Sequence, residues 1–233
     1  PPGPPGAGLA AAVAAAAGSP CTPAGPAAVS GPAARPPQPS LALFGTSADP
    51  PTTGHRALLV GLAERYGQVA TWASDNPFKQ HGASLAQRAA LLQRLVDDLA
   101  DPRIALRQEL SSPRALTTLE RAEALWPGRP LVFVVGGDLA AQVPRWYRAT
   151  ELLQRCRLAV VPRQGFALNP QALEALAQLG GQPPELLPLA IPASASSTVR
   201  GQRSREQVPA AVWAELLKHN LYGLGERSAG PRP

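Results

Sequence analysis

The stretch Gly45-Thr46-Ser47-Ala48-Asp49-Pro50-Pro51-Thr52-Thr53-Gly54-His55 joins an apolar run, Leu41 to Phe44, to the start of a helical pattern. Gly45 permits a tight backbone turn where the run ends, and Pro50-Pro51 forbids a helix before about Thr53. The amides of the first helical turn and the positive end of the helix dipole therefore face the loop, which makes it a ready anion site. Gly54 leaves the backbone bare for a phosphate to approach, and Thr52 and His55, three apart, share a face. Thr52 also suits the helix N-cap, accepting from the His55 amide, and capping does not exclude a phosphate contact. His55 sits where core packing explains it poorly and reads as functional. His81 and His219 have no such context and read as structural or solvated.

Outward from the loop, short apolar runs alternate with helical periodicity. The strand candidates are Leu41 to Phe44, Gln68 to Trp72, Arg103 to Leu106, Leu131 to Val135, Leu158 to Val161 and Leu187 to Ile191. Helices are expected at Thr53 to Tyr66, Ser84 to Leu99, Ala115 to Trp126, Trp146 to Arg155, Gln171 to Leu179 and Ala210 to His219. Within Ser84 to Leu99 the spacing puts Leu85, Ala89, Leu92, Val96 and Leu99 on one face. This alternation predicts an α/β domain: an open parallel sheet with helices on both faces. A length of 233 residues with 45% hydrophobic content suits one such domain. Residues 1–39 are almost entirely Pro, Ala, Gly and Ser and cannot bury enough apolar surface to offset chain entropy, so they read as a disordered tail. The domain is expected over 40–226, with a disordered end at 227–233.

The formal charge of +6 comes from arginines, with Lys79 and Lys218 the only lysines, and the cations are scattered rather than gathered in a run. With aromatics at 5% as well, neither duplex binding nor single-strand stacking is indicated, so no nucleic-acid partner is expected, while small anions fit the charge. Cys21 and Cys156 are far apart and the histidines number three, so neither a disulfide framework nor a structural zinc site is indicated; no protein-held metal is expected and a reducing cytoplasm fits. The apolar stretch Gly8 to Gly18 is mostly alanine and too short to span a bilayer, so no membrane association is expected. A homo-oligomer is left open.

The loop does not match Gly-x-x-x-x-Gly-Lys-Ser/Thr, and no Gly-x-Gly-x-x-Gly follows a strand. Its pattern, Gly-Thr-x-x-Asp-Pro-x-Thr-x-Gly-His, resembles the His/Thr-x-Gly-His loop of the adenylyltransferase superfamily. Ser196-Ser197-Thr198-Val199-Arg200 resembles that superfamily's second signature. Three further stretches resemble nicotinate-nucleotide adenylyltransferases in particular. They are Ser74-Asp75-Asn76-Pro77-Phe78-Lys79; the series Gly136-Gly137-Asp138, Trp146-Tyr147 and Arg163; and the ending through Leu221-Tyr222. The sequence departs from that family at Thr52, which replaces a histidine, at Ala48, which replaces an aromatic, and at Ala115 and Thr117.

The resemblance implies a Rossmann-like nucleotidyltransferase fold and adenylyl transfer from ATP to nicotinate mononucleotide, giving deamido-NAD and pyrophosphate. It implies catalytic roles for His55, Thr52 and Arg200. ATP would meet Gly45, Thr46, Ser47, His55, Gly136, Asp138, Ser196, Ser197 and Arg200. The mononucleotide would meet Lys79, Ser74, Leu116, Trp146 and Arg163, with Trp146 stacking on the pyridine. Mg²⁺ would bind mainly through ATP phosphates. Read without the resemblance, Trp146 is a core aromatic, the usual fate of tryptophan. The alternatives are adenylyl transfer to nicotinamide mononucleotide or phosphopantetheine, and a nucleotide-binding module without turnover.

Overall fold

The computed structural model describes residues 38–76, 79–162, 169–192 and 195–225. Six strands, β1 (Gln38–Thr46), β2 (Tyr66–Ala73), β3 (Ile104–Leu106), β4 (Leu131–Gly136), β5 (Arg157–Val161) and β6 (Glu185–Leu186), form one sheet in the order β3-β2-β1-β4-β5-β6. Every pairing is parallel, so all six strands end on the same edge. Successive strands are joined by helices α1 (Thr53–Arg65), α2 (Leu85–Leu99), α3 (Ala115–Leu125), the short α4 (Gly137–Ala140), α5 (Ala149–Arg155) and α6 (Pro170–Gly180). The short α7 (Ser196–Gln202) and α8 (Ala210–Lys218) follow the last strand.

The period-two alternation of a strand sorts its side chains between two cores. On β1, Ala42 and Phe44 join Leu59 and Leu62 of α1, Leu91, Leu92 and Leu95 of α2 and Leu216 of α8. Leu41 and Leu43 face the other way, among Leu116 and Leu119 of α3, Leu152 and Leu153 of α5 and Leu176 of α6. Both faces are covered, which is why β1 reads as an unbroken apolar run. Each of these fully buried leucines contributes ~1.5–3 kcal/mol of transfer free energy.

Four expectations need correction. The sixth strand is Glu185–Leu186 and not Leu187 to Ile191. The Leu187 N–H still donates to Val160 O at 2.9 Å, but Pro188 has no N–H to offer, and the ladder stops there. The helix expected from Trp146 begins at Ala149, because Trp146 is extended (ψ 154°) and Arg148 is left-handed (φ 52°), a conformation no α-helix holds. Packing of Trp146 edge-on to Phe133, with centroids 6.2 Å apart, overrides the local helical pattern. On α2 the buried stripe is Arg88, Leu91, Leu92, Leu95 and Val96, leaving Leu85 and Leu99 half-buried at its rim. Finally, β1 begins at Gln38, within the stretch read as a tail.

At the amino edge of the sheet, Glu185 accepts from Tyr66 Oη at 3.0 Å and from Arg65 Nε at 3.0 Å, with Arg157 3.9 Å away. Burial, then the Glu185 charge, pushes the Tyr66 phenol up, so it stays protonated and donates. This knot joins the first residues of β2, β5 and β6 and closes that edge, leaving the carboxyl edge for ligands.

Candidate active site

Parallel strands bring Thr46, Ala73 and Gly136 to the carboxyl edge, and the sheet order reverses between β1 and β4, where an open α/β sheet forms its ligand crevice. Gly45 lies opposite Trp72 in the β1–β2 register, and a Cβ there would sit 2.6 Å from the indole. Only glycine lets the loop leave the strand across that ring. From Trp72 an edge-to-face aromatic row continues through Phe133, at 6.3 Å, to the half-buried Trp146.

The loop runs into α1 through a reciprocal capping box between Thr52 and His55. The Thr52 backbone N–H donates to His55 Nδ1 at 3.1 Å, and the Thr52 hydroxyl lies 2.8 Å from the same nitrogen. A backbone N–H can only donate, so Nδ1 is the acceptor and Nε2 carries the proton. That Nε2–H points back over the loop and meets Thr46 Oγ1 at 2.9 Å. The geometry thus aims a ring N–H, together with the positive end of the α1 dipole, at the space beside Thr46. Thr52 is fully buried, so its place here is to cap and to orient His55.

Ser196 and Arg200 come to this loop on α7. Ser196 Oγ donates to Pro50 O at 2.8 Å, and Arg200 Nη1 donates to the Asp49 carbonyl and, at 3.1 Å, to its carboxylate. Ser197 is exposed. Ser74 follows β2, with its N–H on Thr46 O at 2.7 Å. Lys79 is exposed on the loop between β2 and α2, near the same edge. At the end of β4 the Asp138 carboxylate folds back over Gly136, where a Cβ would lie 2.5 Å from Oδ1. Ser47 is half-buried, and its backbone carbonyl accepts from Arg88 at 2.8 Å. Leu116 is 2% exposed in the core, so its side chain cannot meet a ligand and only the backbone of the α3 first turn could. Arg163 lies outside the described residues.

Two buried charged residues of this neighbourhood, Asp49 and Arg88, carry no sequence-derived role. Asp49, 2% exposed, accepts four bonds on its carboxylate, from the Gly82 and Ala83 amides, the Tyr222 hydroxyl and Arg200. Arg88, also 2% exposed, donates to the carbonyls of Ser47, Ser74 and Ala83, and burial lowers its pKa. The signal for Arg88 was an arginine three and four residues before Leu91 and Leu92 on an apolar stripe; for Asp49 it was a carboxylate inside an otherwise uncharged anion loop.

Elsewhere, a hollow of about 460 Å³ beside β3 is lined by Asp97 and Asp101 and offers a polyanion no cation on its wall. Among the described residues no group of three or more His, Cys, Asp or Glu could hold a metal, and no helix is long and apolar enough to cross a membrane. Cys156 is a buried free thiol that burial pushes up to about 12, which leaves it unreactive.

The cytidylyltransferase-like family model matches residues 43–206. A probable nicotinate-nucleotide adenylyltransferase of Synechocystis sp. is 41% identical over 197 residues, 78% of this chain and 98% of the relative. One of Gloeobacter violaceus is 32% identical over 191 residues, 78% of this chain and 90% of the relative. Among solved structures, a Plasmodium falciparum nicotinic acid mononucleotide adenylyltransferase complexed with NaAD aligns with a TM-score of 0.64 at 17% identity. The alignment covers 81% of this chain and 99% of that one and supports the fold.

Proposed function

The chain belongs to the cytidylyltransferase-like family and, within it, to the nicotinate-nucleotide adenylyltransferases, and from that premise we infer its reaction and the work of its residues. It transfers the adenylyl group of ATP to nicotinate mononucleotide, giving deamido-NAD and pyrophosphate, a step of NAD biosynthesis. The mononucleotide phosphate attacks the α-phosphorus in line and pyrophosphate leaves. The substrate supplies the nucleophile, so the protein's task is to hold two polyanions together and to neutralise charge on the leaving group.

The observation that carries this reading is the Thr52–His55–Thr46 arrangement at the start of α1, which turns a neutral imidazole N–H toward the loop. His55 Nε2–H, the α1 amides, Gly45, Thr46 and Ser47 would hold the triphosphate, with Ser196, Ser197 and Arg200 closing over it from α7. Thr52 would act through His55. Asp138 would accept from the ribose hydroxyls beside Gly136. Lys79 and Ser74 would take the mononucleotide phosphate and Trp146 the pyridine ring, with Arg163 as a further cation toward the mononucleotide. Mg²⁺ suits a site of cations and amides only as a partner carried by the ATP phosphates, where it would add neutralising charge. A reducing cytoplasm accommodates the free thiol of Cys156.

Pyrophosphate release with ATP and Mg²⁺ tests the reading, comparing nicotinate mononucleotide, nicotinamide mononucleotide and phosphopantetheine as acceptors. Turnover with the first and much less with the others is expected. No release with nicotinate mononucleotide, or a preference for either alternative, overturns it.

A further inference from the structure

Arg200 is held by one nitrogen. Its Nη1 donates to the Asp49 carbonyl and carboxylate, whereas Nε and Nη2 have no partner among the described residues, and the side chain is 32% exposed. An arginine anchored along one edge keeps its remaining N–H groups available to a phosphate in a preset direction. The anchor itself is buried and fully occupied. Asp49 Oδ2 accepts from Gly82 N–H at 2.8 Å as well as from Arg200, and Oδ1 accepts from Tyr222 Oη at 2.6 Å and Ala83 N–H at 3.2 Å.

Three backbone features surround this contact. Ala48, just before Asp49, is left-handed at φ 47°, and Tyr222 is left-handed at φ 57°; each costs ~1 kcal/mol or more outside glycine. The first leads directly into Asp49, and the second belongs to the residue whose own hydroxyl bonds its carboxylate. Gly82 is the third: a Cβ there would sit 2.8 Å from the Tyr222 ring and 3.1 Å from Arg200 Cδ. Its bare backbone is what lets phenol and guanidinium pack side by side over the amide that Asp49 accepts. His81 Nδ1, 3.8 Å from Oδ2, is beyond hydrogen-bond reach, so the cation bonded to the carboxylate is Arg200.

We propose that Asp49 is the positioning residue that sets Arg200 for the ATP phosphates, with Tyr222 and the bare Gly82 backbone fixing the carboxylate; this rests on the adenylyl-transfer reading above. The segment after α8 thereby reaches the phosphate site through one hydroxyl. A carboxylate so placed also keeps the polyanion from drawing Arg200 out of line, because Nη1 is bound from two sides.

The test is a double-mutant cycle on the full chain with ATP, Mg²⁺ and nicotinate mononucleotide, measuring KM for each substrate and kcat. Asp49→Asn keeps the size but turns one oxygen into a donor facing Gly82 N–H and Arg200. It is expected to lower kcat/KM for ATP by ~10- to 100-fold, the worth of a charge-assisted bond, with KM for nicotinate mononucleotide within about 2-fold. In an Arg200→Ala background the same change is expected to cost no more than about 2-fold. Losses that multiply, an equal effect on both substrates, or wild-type kcat/KM for Asp49→Asn overturns the proposal. If Asp49→Asn does not fold, Tyr222→Phe carries the cycle, with a loss for ATP in the parent and none beside Arg200→Ala; a loss in both overturns it. Gly82→Ala is expected to resemble Tyr222→Phe. A wild-type chain that releases no pyrophosphate refutes the reaction itself, a result separate from any outcome of the cycle.

Discussion

His55 shows what a single residue contributes when its two nitrogens are used differently. Nδ1 is spent on the Thr52 amide, so the helix cap fixes the tautomer and turns Nε2–H onto Thr46 Oγ1 at the ligand side. Replacing His55 by Ala removes a preorganised donor that matters most as charge builds on the leaving phosphates. The expected outcome is a fall in kcat by ~10²- to 10³-fold with KM for ATP little changed, measured by steady-state pyrophosphate release. The capping loss adds only about 1 kcal/mol of instability, visible as a small shift in the urea midpoint. Full turnover by the variant would remove His55 from the mechanism. His55 was legible in the sequence because its chemistry is local: a loop, two prolines and a helix start lie within eleven residues of each other. Asp49 sits in the same quoted stretch, yet its partners lie 33 residues away at Gly82 and 173 away at Tyr222, and no local pattern announces them. The burial of the Leu116 side chain was not legible for the complementary reason, since a family segment marks where a backbone passes and says nothing of which way its side chain turns.

Elements bring such residues to one edge, and two devices at element ends can be tested. The Asp138 carboxylate occupies the space a Cβ on Gly136 would need. Because the clash is with the far end of a flexible side chain, Gly136→Ala is expected to fold with the parent's stability and to swing the carboxylate aside. KM for ATP then rises about 10-fold, the worth of one hydrogen bond of ~1.4 kcal/mol, while KM for the mononucleotide holds. An unchanged KM for ATP would take Asp138 out of the ribose site. Arg88 works between elements, joining the loop after β1 at Ser47, the loop after β2 at Ser74 and the α2 start at Ala83. Arg88→Met leaves three carbonyls without that donor, and at ~1–3 kcal/mol for each group left unpaired the expected loss is several kcal/mol in urea unfolding. A loss under about 1 kcal/mol would show that water replaces the guanidinium. Element types were legible wherever periodicity was long, as in α2, whose expected and observed spans differ by one residue at Ser84. They failed where tertiary contact or a missing donor decides: Trp146 bends away from its helix to meet Phe133, and Pro188 cuts β6 short.

Across the whole molecule the sheet order separates two ionic knots. Glu185 with Arg65, Tyr66 and Arg157 ties the amino edge, and Asp49 with Arg200, Tyr222 and the loop amides ties the carboxyl edge. The alternation of apolar runs predicted a parallel sheet covered on both faces, but not the order of its strands, because that order follows from crossover connections with no local signature. The carboxyl-edge knot also gives stability a dependence on pH. His81 is 14% exposed at its side chain, and its Nε2 is buried with no hydrogen-bond partner among the described residues. Burial first, then the Arg88 charge, lowers its pKa below 6.5; Lys79 and Arg200 act the same way, and the Asp49 carboxylate opposes them without prevailing. The native state therefore keeps His81 neutral at a pH where the unfolded chain already takes up a proton. Since the unfolded state then binds more protons, the contribution of His81 is fully present above about pH 6.5 and is lost as pH falls below it. Thermal or urea unfolding at pH 7.5 and 5.5 is expected to show a loss of stability in the parent that is smaller in His81→Gln, which does not titrate. Equal losses in the two proteins would mean that carboxylates, and not this histidine, set the acid limit of the fold.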